Sequence, residues 1–267
     1  MYKFFQILSK GQTIILGSFF LINISLGQPS LQLYQQAKDF LAIGDFKNAI
    51  PLLNQSAKLG NTEAQYHLAL CYQQGTGVAK NDTTANLWLL KAANNGSKDA
   101  QSSLSTSFAV GRGILQDEYQ AFYWTSQCAK NNDAQCMSNI IDYYRDGIGI
   151  EPDLDSMVAW SSRLALLDNM GDIHLLKKIT AARLSLVKMY HEGDIIPKDL
   201  FKSYVWLLIY NENKKDQSLI VQQTEIDEIN ELEKLLDPSD KSRAKEEAEN
   251  LLKTRLSNLD NLYQQEL

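Results

Sequence analysis

The sequence predicts an all-α solenoid built from stacked helix pairs, and three sets of regularly spaced residues support this prediction. The four tryptophans of the chain are separated by 36, 36 and 46 residues. Four glycines and four Asn or Asp residues keep the same spacings. A period near 36 is typical of small units that bury their apolar faces against their neighbours. The three sets are Trp88, Trp124, Trp160 and Trp206; Gly75, Gly111, Gly147 and Gly193; and Asn81, Asp117, Asp153 and Asp199.

Each unit is predicted to contain two helices joined by a glycine turn. In the first complete unit, Ala64, Leu68 and Tyr72 recur at a helical spacing and form one apolar stripe. Gly75 then ends the helix, because glycine accepts the left-handed conformation that such a turn needs. The second helix starts after Asn81, and Asn and Asp are favoured helix N-caps. The tryptophans lie on the inner face of the second helices, which favours packing between units over an aromatic binding platform.

The repeat pattern divides the chain into predicted segments. Ten extra residues separate the third and fourth repeats, around 166–181, and they either lengthen the helices or form a loop. Ile195 stands where the second turn glycine of the fourth repeat belongs, so this turn is expected to be altered. The segments are a degenerate N-terminal repeat at 28–60, four repeats at about 61–96, 97–132, 133–168 and 179–212, and a helical C-terminal cap at 213–267.

Residues 1–27 have the features of a secretory signal peptide. Lys3 and Lys10 precede an apolar run that ends in small residues at Ser25 and Gly27. The run is shorter than the roughly 20 residues that span a bilayer. We therefore expect a periplasmic or secreted protein without stable membrane insertion after cleavage. An uncleaved signal that anchors the chain to the inner membrane is the alternative.

The three cysteines are Cys71, Cys128 and Cys136. Cys128 and Cys136 are separated by seven residues, at the predicted end of one helix and start of the next. Two helices joined by a short loop can bring such positions within bridging distance. The pattern favours a disulfide over two small buried residues, with Cys71 as a buried free thiol.

Composition and motifs give little support for nucleic-acid binding or catalysis. The formal net charge is −6, without the basic surface that nucleic acids require. His67, His174 and His191 lack any metal-ligand spacing, and no nucleotide-binding glycine motif occurs. The S-x-x-K pattern of serine β-lactamases occurs at Ser185–Lys188 and Ser242–Lys245, without its supporting motifs. We therefore expect no catalytic residue, cofactor or metal.

The repeated motif resembles the Sel-one-like repeat, a branch of the tetratricopeptide-like α/α solenoids. The resemblance covers roughly residues 30–212. It implies a scaffold or adaptor role, and exported bacterial members are similar to cell-envelope, secretion-associated and host-interaction proteins. One secreted subgroup has paired cysteines spaced like Cys128 and Cys136, and some of its members have been linked to penicillin binding or weak β-lactamase activity. The residues that carry the motif best are Ala64, Leu68, Tyr72, Gly75, Gly77, Val78, Ala85, Trp88, Lys91, Ala92, Ala93 and Gly96.

The resemblance also implies where a partner binds, since the first helix of each repeat lines the concave side of tetratricopeptide-like stacks. A mixed polar groove with Tyr66 and Leu70 suits an extended peptide or a partner helix. The predicted groove residues are Glu63, Tyr66, Leu70, Gln73, Gln74, Asp99, Ser102, Thr106, Val110, Gln135, Ser138, Asp142, Arg145, Asp146, Lys188, His191 and Glu192.

The function expected from these observations is a non-enzymatic protein–protein interaction scaffold of the bacterial cell envelope or secreted space. The alternatives are a peptidoglycan-related factor or penicillin-binding, β-lactamase-like enzyme, and a membrane-anchored assembly factor. The expected partner is a protein or peptide, and the sequence identifies neither that partner nor the oligomeric state.

Overall fold

A computed structural model describes residues 29–168, 171–212 and 223–258, and these residues form twelve α-helices and no strand. The predicted all-α helical repeat solenoid is confirmed. The predicted signal peptide lies outside the described residues. No helix within the described ranges is long and apolar enough to cross a membrane. The helices are α1 (29–42), α2 (Phe46–Lys58), α3 (Thr62–Gln74), α4 (Asp82–Asn94), α5 (Lys98–Val110), α6 (Glu118–Lys130), α7 (Ala134–Asp146), α8 (Leu154–Ala165), α9 (Ile173–Glu192), α10 (Leu200–Glu212), α11 (Gln223–Lys234) and α12 (Pro238–Leu252).

The described residues form two compact units, one ending at Asn131 and the other starting at Asn132. In the first unit, α2 to α6 pack consecutively against one another. In the second unit, α7 to α10 do the same, and α11 and α12 both pack against α10. Consecutive packing of this kind is the expected arrangement of helical repeats.

The four predicted N-caps are confirmed by their hydrogen bonds. Each Asn or Asp side-chain oxygen accepts a bond from the backbone N–H three residues later, over 2.9–3.0 Å. These residues satisfy donors that the first turn of a helix leaves without a backbone partner. The caps are Asn81, Asp117, Asp153 and Asp199.

The turn glycines adopt the left-handed conformation that the sequence predicts. Gly75, Gly111, Gly147 and Gly193 close the first helices with φ angles of 69° to 78°. The second turn glycines of the other three complete repeats, Gly77, Gly113 and Gly149, have positive φ angles. Ile195, at the same position of the fourth repeat, is not among the described residues with a positive φ. The turn of the fourth repeat therefore differs from the others, as predicted.

Three of the four tryptophans are shown in packed positions, which agrees with their predicted structural role. Trp124 and Trp206 are buried. Trp88 is half-buried and packs against two hydrophobic clusters of the first unit. The ammonium of Lys91 lies 4.2 Å from the centre of the Trp88 ring, within the range of a cation–π interaction.

Two glutamines that the repeat motif did not predict connect successive helices of the first unit. The side-chain amides of Gln65 and Gln101 donate to the carbonyls of Ala57 and Ala93, both over 3.1 Å. Each glutamine oxygen in turn accepts a hydrogen bond from an Asn 30 residues later, just after the second helix of the same repeat. Because both glutamines are buried, these bonds satisfy polar groups that would otherwise lack partners.

Arg183 occupies the same register position in α9 and is buried, with only 5% of its surface exposed. Its guanidinium donates to the carbonyl of Ala165 over 2.8 Å and to that of Ile209 over 2.9 Å. It thereby connects α9 to the end of α8 and to α10. Burial lowers the pKa of Arg183 to about 10, so the side chain stays charged at neutral pH.

The ten-residue insertion lengthens a helix rather than forming only a loop. The helix α9 has 20 residues, whereas α3, α5 and α7 have 13 each. In the repeat register α9 would begin at Thr180, yet it begins at Ile173. Asp172 caps this added segment by accepting hydrogen bonds from the backbone N–H groups of His174 and Leu175. We call residues 173–179 the α9 extension.

Candidate functional site

All seventeen predicted groove residues lie on the first helices α3, α5, α7 and α9, and all are exposed or half-exposed. The repeat residues on the same helices behave differently, since Ala64 and Leu68, for example, are buried. The two groups therefore occupy different faces of one helix, as a helical period requires. That the exposed face contacts a partner stays a prediction.

In the first unit, this face contains a half-buried aromatic residue surrounded by polar side chains. Tyr66 lies edge-on to His67, with 5.9 Å between the ring centres. Burial raises the pKa of Tyr66, and the negative charges of Asp99 and Glu63 raise it further. His67 itself packs between Tyr66 and Tyr34, whose ring centre is 5.7 Å away.

His67 should make the protein less stable in mild acid. Burial lowers the pKa of His67 below its ordinary value of 6.5. The unfolded chain therefore takes up a proton below pH 6.5 that the folded chain resists, so this stability is complete above pH 6.5 and is lost as the pH falls below it. Urea unfolding at pH 7.5 and 5.5 should show a smaller loss for His67→Gln than for the wild type. Equal losses in the wild type and in His67→Gln would contradict this role of His67.

In the second unit, α7, α8 and α9 line an open cavity of about 410 Å³, which we call the α7–α9 cavity. Ser161, Leu164 and Ala182 line it and are buried, so they form its floor. The Ser161 hydroxyl donates to the carbonyl of Met157 over 2.8 Å and is thereby satisfied within α8. The floor is therefore mainly apolar, and charged groups lie at the rim.

Three predicted groove residues of α7 line this cavity: Ser138, Asp142 and Arg145. Arg145 lies 2.9 Å from Asp142 and donates twice to the carboxylate of Asp146, both times over 2.8 Å. These hydrogen bonds lower the pKa of Asp146 and raise that of Arg145. The guanidinium is thus already occupied by two carboxylates of its own helix.

The α9 extension supplies the opposite wall through His174, Lys177 and Lys178. Spacings of three and four residues place these side chains on one face of the helix. Within the described ranges, no carboxylate oxygen lies within 4.0 Å of either lysine nitrogen. The pKa of Asp172 is lowered first by its backbone hydrogen bonds, and the charge of Lys178 adds a smaller effect.

These two lysines were not among the predicted site residues, because they lie in the insertion, outside the repeat register. A signal was nevertheless present. Asp172 is an N-cap residue, and Ile173, Leu176 and Ile179 follow it at helical spacing. This pattern predicts a helix that would present His174, Lys177 and Lys178 together.

A second cavity of about 460 Å³ lies among α9, α10 and α11. Leu207 and Leu232 belong to its apolar lining, and Asp227, Glu228 and Glu231 give it an acidic edge. The predicted groove residues Lys188, His191 and Glu192 line this cavity as well.

Neither S-x-x-K pair forms an enclosed nucleophile site. Ser185 lines the α7–α9 cavity, whereas Lys188 lines the other cavity, so the two side chains face different spaces. Ser242 is exposed, and its hydroxyl donates to the carbonyl of Pro238 over 3.4 Å. Nucleophilic catalysis by serine requires a base within hydrogen-bond reach of the hydroxyl.

Cys128 and Cys136 form a disulfide bond and Cys71 is a buried free thiol, as predicted. The possible ligand atoms of Cys128, Asp133 and Cys136 lie within 4.8 Å of one another, a spacing that a metal site would also have. The disulfide, however, consumes the two thiolates that a metal would need. Asp133 instead caps α7 by accepting from the backbone N–H of Cys136 over 2.9 Å.

Thiol counting on the unfolded, non-reduced protein should give one free cysteine per chain, and three after reduction. Reduction should also lower the free energy of unfolding by about 2–3 kcal/mol, the loop-closure term expected for so short a loop. Cys71→Ser gives the control, since its unreduced form should show no free thiol. Three free thiols in the unreduced wild type would contradict the disulfide.

The Sel1 repeat family model matches residues 62–97, 98–133 and 180–209. The chain therefore contains Sel1 repeats. The three matched segments contain the helix pairs α3–α4 and α5–α6 and most of α9 and α10. The α9 extension, with Lys177 and Lys178, precedes the third matched segment, so it is an addition of this chain to the repeat.

The first of two similar solved structures supports the same fold. A Sel1 repeat protein from Oxalobacter formigenes is 24% identical, with a TM-score of 0.57 over 73% of this chain and 74% of that one. The protective antigen c5321 of uropathogenic Escherichia coli strains, which displays an SLR fold, is 19% identical with a TM-score of 0.38, over 88% of this chain and 55% of its own. No curated protein matches the chain significantly.

Proposed function

We propose that this Sel1-like repeat protein is a non-enzymatic scaffold that binds a protein partner through the exposed faces of its first helices. Sel1 repeats are generally protein–protein interaction modules. The observation that carries the proposal is the separation of faces on these helices. The repeat residues are buried, whereas the predicted groove residues stay accessible and partly line a cavity in the second unit.

The non-enzymatic part of this proposal is supported by the chemistry at the accessible sites. Ser185 and Lys188 face different cavities, and Arg145 is engaged by Asp142 and Asp146. Neither arrangement provides a nucleophile with an adjacent base. A penicillin-type probe should therefore form no covalent adduct, and an adduct that disappears in Ser185→Ala would contradict the proposal.

Capture of a partner by the immobilised full chain from an envelope extract tests the binding function. The variant Asp142→Arg/Arg145→Asp exchanges the charges of one ion pair on α7 without changing the net charge. We expect it to lose most of the captured partner, because the two charges that α7 contributes to the rim of the α7–α9 cavity change places.

The matched control exchanges a similar pair on α12. Asp240 and Arg243 also stand three residues apart, 3.0 Å from each other. Asp240→Arg/Arg243→Asp should capture the partner as the wild type does, with both variants keeping the helical circular dichroism signal. Equal capture by all three proteins, or equal loss in both variants, would count against binding through the first helices.

We also propose that the scaffold acts in the periplasm or secreted space of a bacterium. The support is the charged start and short apolar run of residues 1–27, together with the disulfide, since disulfides persist in oxidising compartments. Mass spectrometry of the protein from its native host should find a mature N-terminus at Gln28. An intact Met1 would instead favour the anchored form.

A further inference from the structure

The α7–α9 cavity has a positive charge in a chain that is acidic as a whole. Its lining contains three cationic side chains, Arg145, Lys177 and Lys178, and one carboxylate, Asp142, while the formal net charge of the chain is −6. An anionic partner is therefore repelled by the average surface and attracted to this cavity. The charge pattern therefore favours a negatively charged ligand and favours its binding at this cavity.

The two lysines are the cations that remain available. Arg145 has its donors on Asp142 and Asp146, whereas Lys177 and Lys178 have no carboxylate within 4.0 Å among the described residues. Lys177 is exposed and Lys178 is half-exposed, so both can reach a ligand at the rim. Each ammonium offers three donors and no acceptor, which suits an anion.

Hydroxyl groups and an apolar floor complete the surroundings of these lysines. Ser138 and Ser185 line the cavity from α7 and α9, and both are accessible. Their hydroxyls can donate to the same anion. Leu164 and Ala182 below them suit the aliphatic part of a side chain rather than a strongly hydrated small ion. A cavity of about 410 Å³ has room for one or two amino-acid side chains.

We propose that the α7–α9 cavity binds the carboxylates of an acidic peptide segment of the protein partner, with Lys177 and Lys178 as the main contacts. This inference rests on the proposed scaffold function and names the chemistry of its partner. The contacts come from the α9 extension, which lies outside the matched repeats. The added helical turns thus give a specific ligand preference to an otherwise general repeat surface.

Fluorescence anisotropy with the full chain tests this preference. The probes are a fluorescein-labelled tetraglutamate peptide and the corresponding tetraglutamine peptide, both at low salt. Tetraglutamate should bind at least tenfold more tightly, and the difference should shrink as salt is added, because exposed charges are screened. Equal binding of the two peptides would overturn the proposal.

Two pairs of lysines provide the matched variants. Lys177→Gln/Lys178→Gln should weaken tetraglutamate binding at least tenfold, and Lys177→Arg/Lys178→Arg should largely retain it. Lys47→Gln/Lys58→Gln removes the same charge from exposed positions on α2 and should change binding less than twofold. Equal weakening by the two glutamine pairs would overturn the assigned site.

The partner-capture assay separates failure of this inference from failure of the scaffold function. If Lys177→Gln/Lys178→Gln captures the partner as well as the wild type does, the carboxylate role is wrong and the scaffold function stands. If Asp142→Arg/Arg145→Asp also captures it normally, binding through the first helices fails as well.

Discussion

Gly113→Ala should destabilise the first unit by about 3 kcal/mol or more, enough to unfold a marginally stable repeat array. Gly113 has a φ of +65°, which alanine adopts only with strain. A Cβ at this position would also lie 2.5 Å from the backbone carbon of Asp82 and 2.7 Å from the nitrogen of Thr83. Both contacts involve backbone atoms at the start of α4, so no side chain can rotate to relieve them.

The reason for this close approach is that the turn after α5 docks on the start of α4. The hydroxyl of Thr83 donates to the carbonyl of Gly113 over 3.2 Å, and the amide of Asn86 donates to that of Arg112 over 2.6 Å. An added methyl group would force these hydrogen bonds apart. The expected loss therefore combines backbone strain with broken packing between two repeats.

Gly96→Ala is the matched control for Gly113→Ala. Gly96 also has a positive φ, +89°, but a Cβ there would meet no atom within 4 Å. Its replacement should cost only the backbone strain, about 1–2 kcal/mol. Urea unfolding followed by circular dichroism measures both losses, and equal losses would show that the docking contact contributes nothing.

Arg183→Met should lower the free energy of unfolding of the second unit by about 2–4 kcal/mol. Methionine fills much of the same volume but leaves the buried carbonyls of Ala165 and Ile209 without their donors. Each such orphaned group costs about 1–3 kcal/mol. Relief from burying a charge, the cause of the lowered pKa of Arg183, offsets part of this cost.

Arg163→Met removes an arginine from an exposed position of the same unit and serves as the control. Arg163 donates to Asn132 over 2.7 Å and lies 4.9 Å from the centre of the Trp160 ring. Because these contacts are exposed to solvent, the loss should stay below about 1 kcal/mol. If thermal unfolding shifts equally in the two variants, the buried bonds of Arg183 are not the stabilising feature.

The fold could be predicted from the sequence because its determinants recur at a fixed spacing. One N-cap or one glycine is weak evidence, but Asn81, Asp117, Asp153 and Asp199 occur in register with glycines and tryptophans. The sequence predicts turns at these glycines, but it does not predict what the second glycine of each turn contacts. The contact of Gly113 with α4 depends on packing between repeats, and a local sequence pattern does not predict such packing.

The candidate site was predictable only in part. The resemblance placed Ser138, Asp142 and Arg145 on an accessible face, and the structure adds that Arg145 is engaged within its own helix. The insertion left a helix and a loop as alternatives, because it interrupts the repeat register. Once α9 extends to Ile173, Lys177 and Lys178 join the same cavity wall.

Residue-resolved lysine reactivity tests the central claim most directly, namely that a protein partner binds at the first helices of the second unit. The full chain would be acetylated with and without the captured partner and analysed by mass spectrometry. Lys177 and Lys178 should become strongly protected in the complex, while the exposed Lys47 and Lys58 of α2 keep their reactivity. Unchanged reactivity of Lys177 and Lys178 in a complex that protects other lysines would contradict the claim.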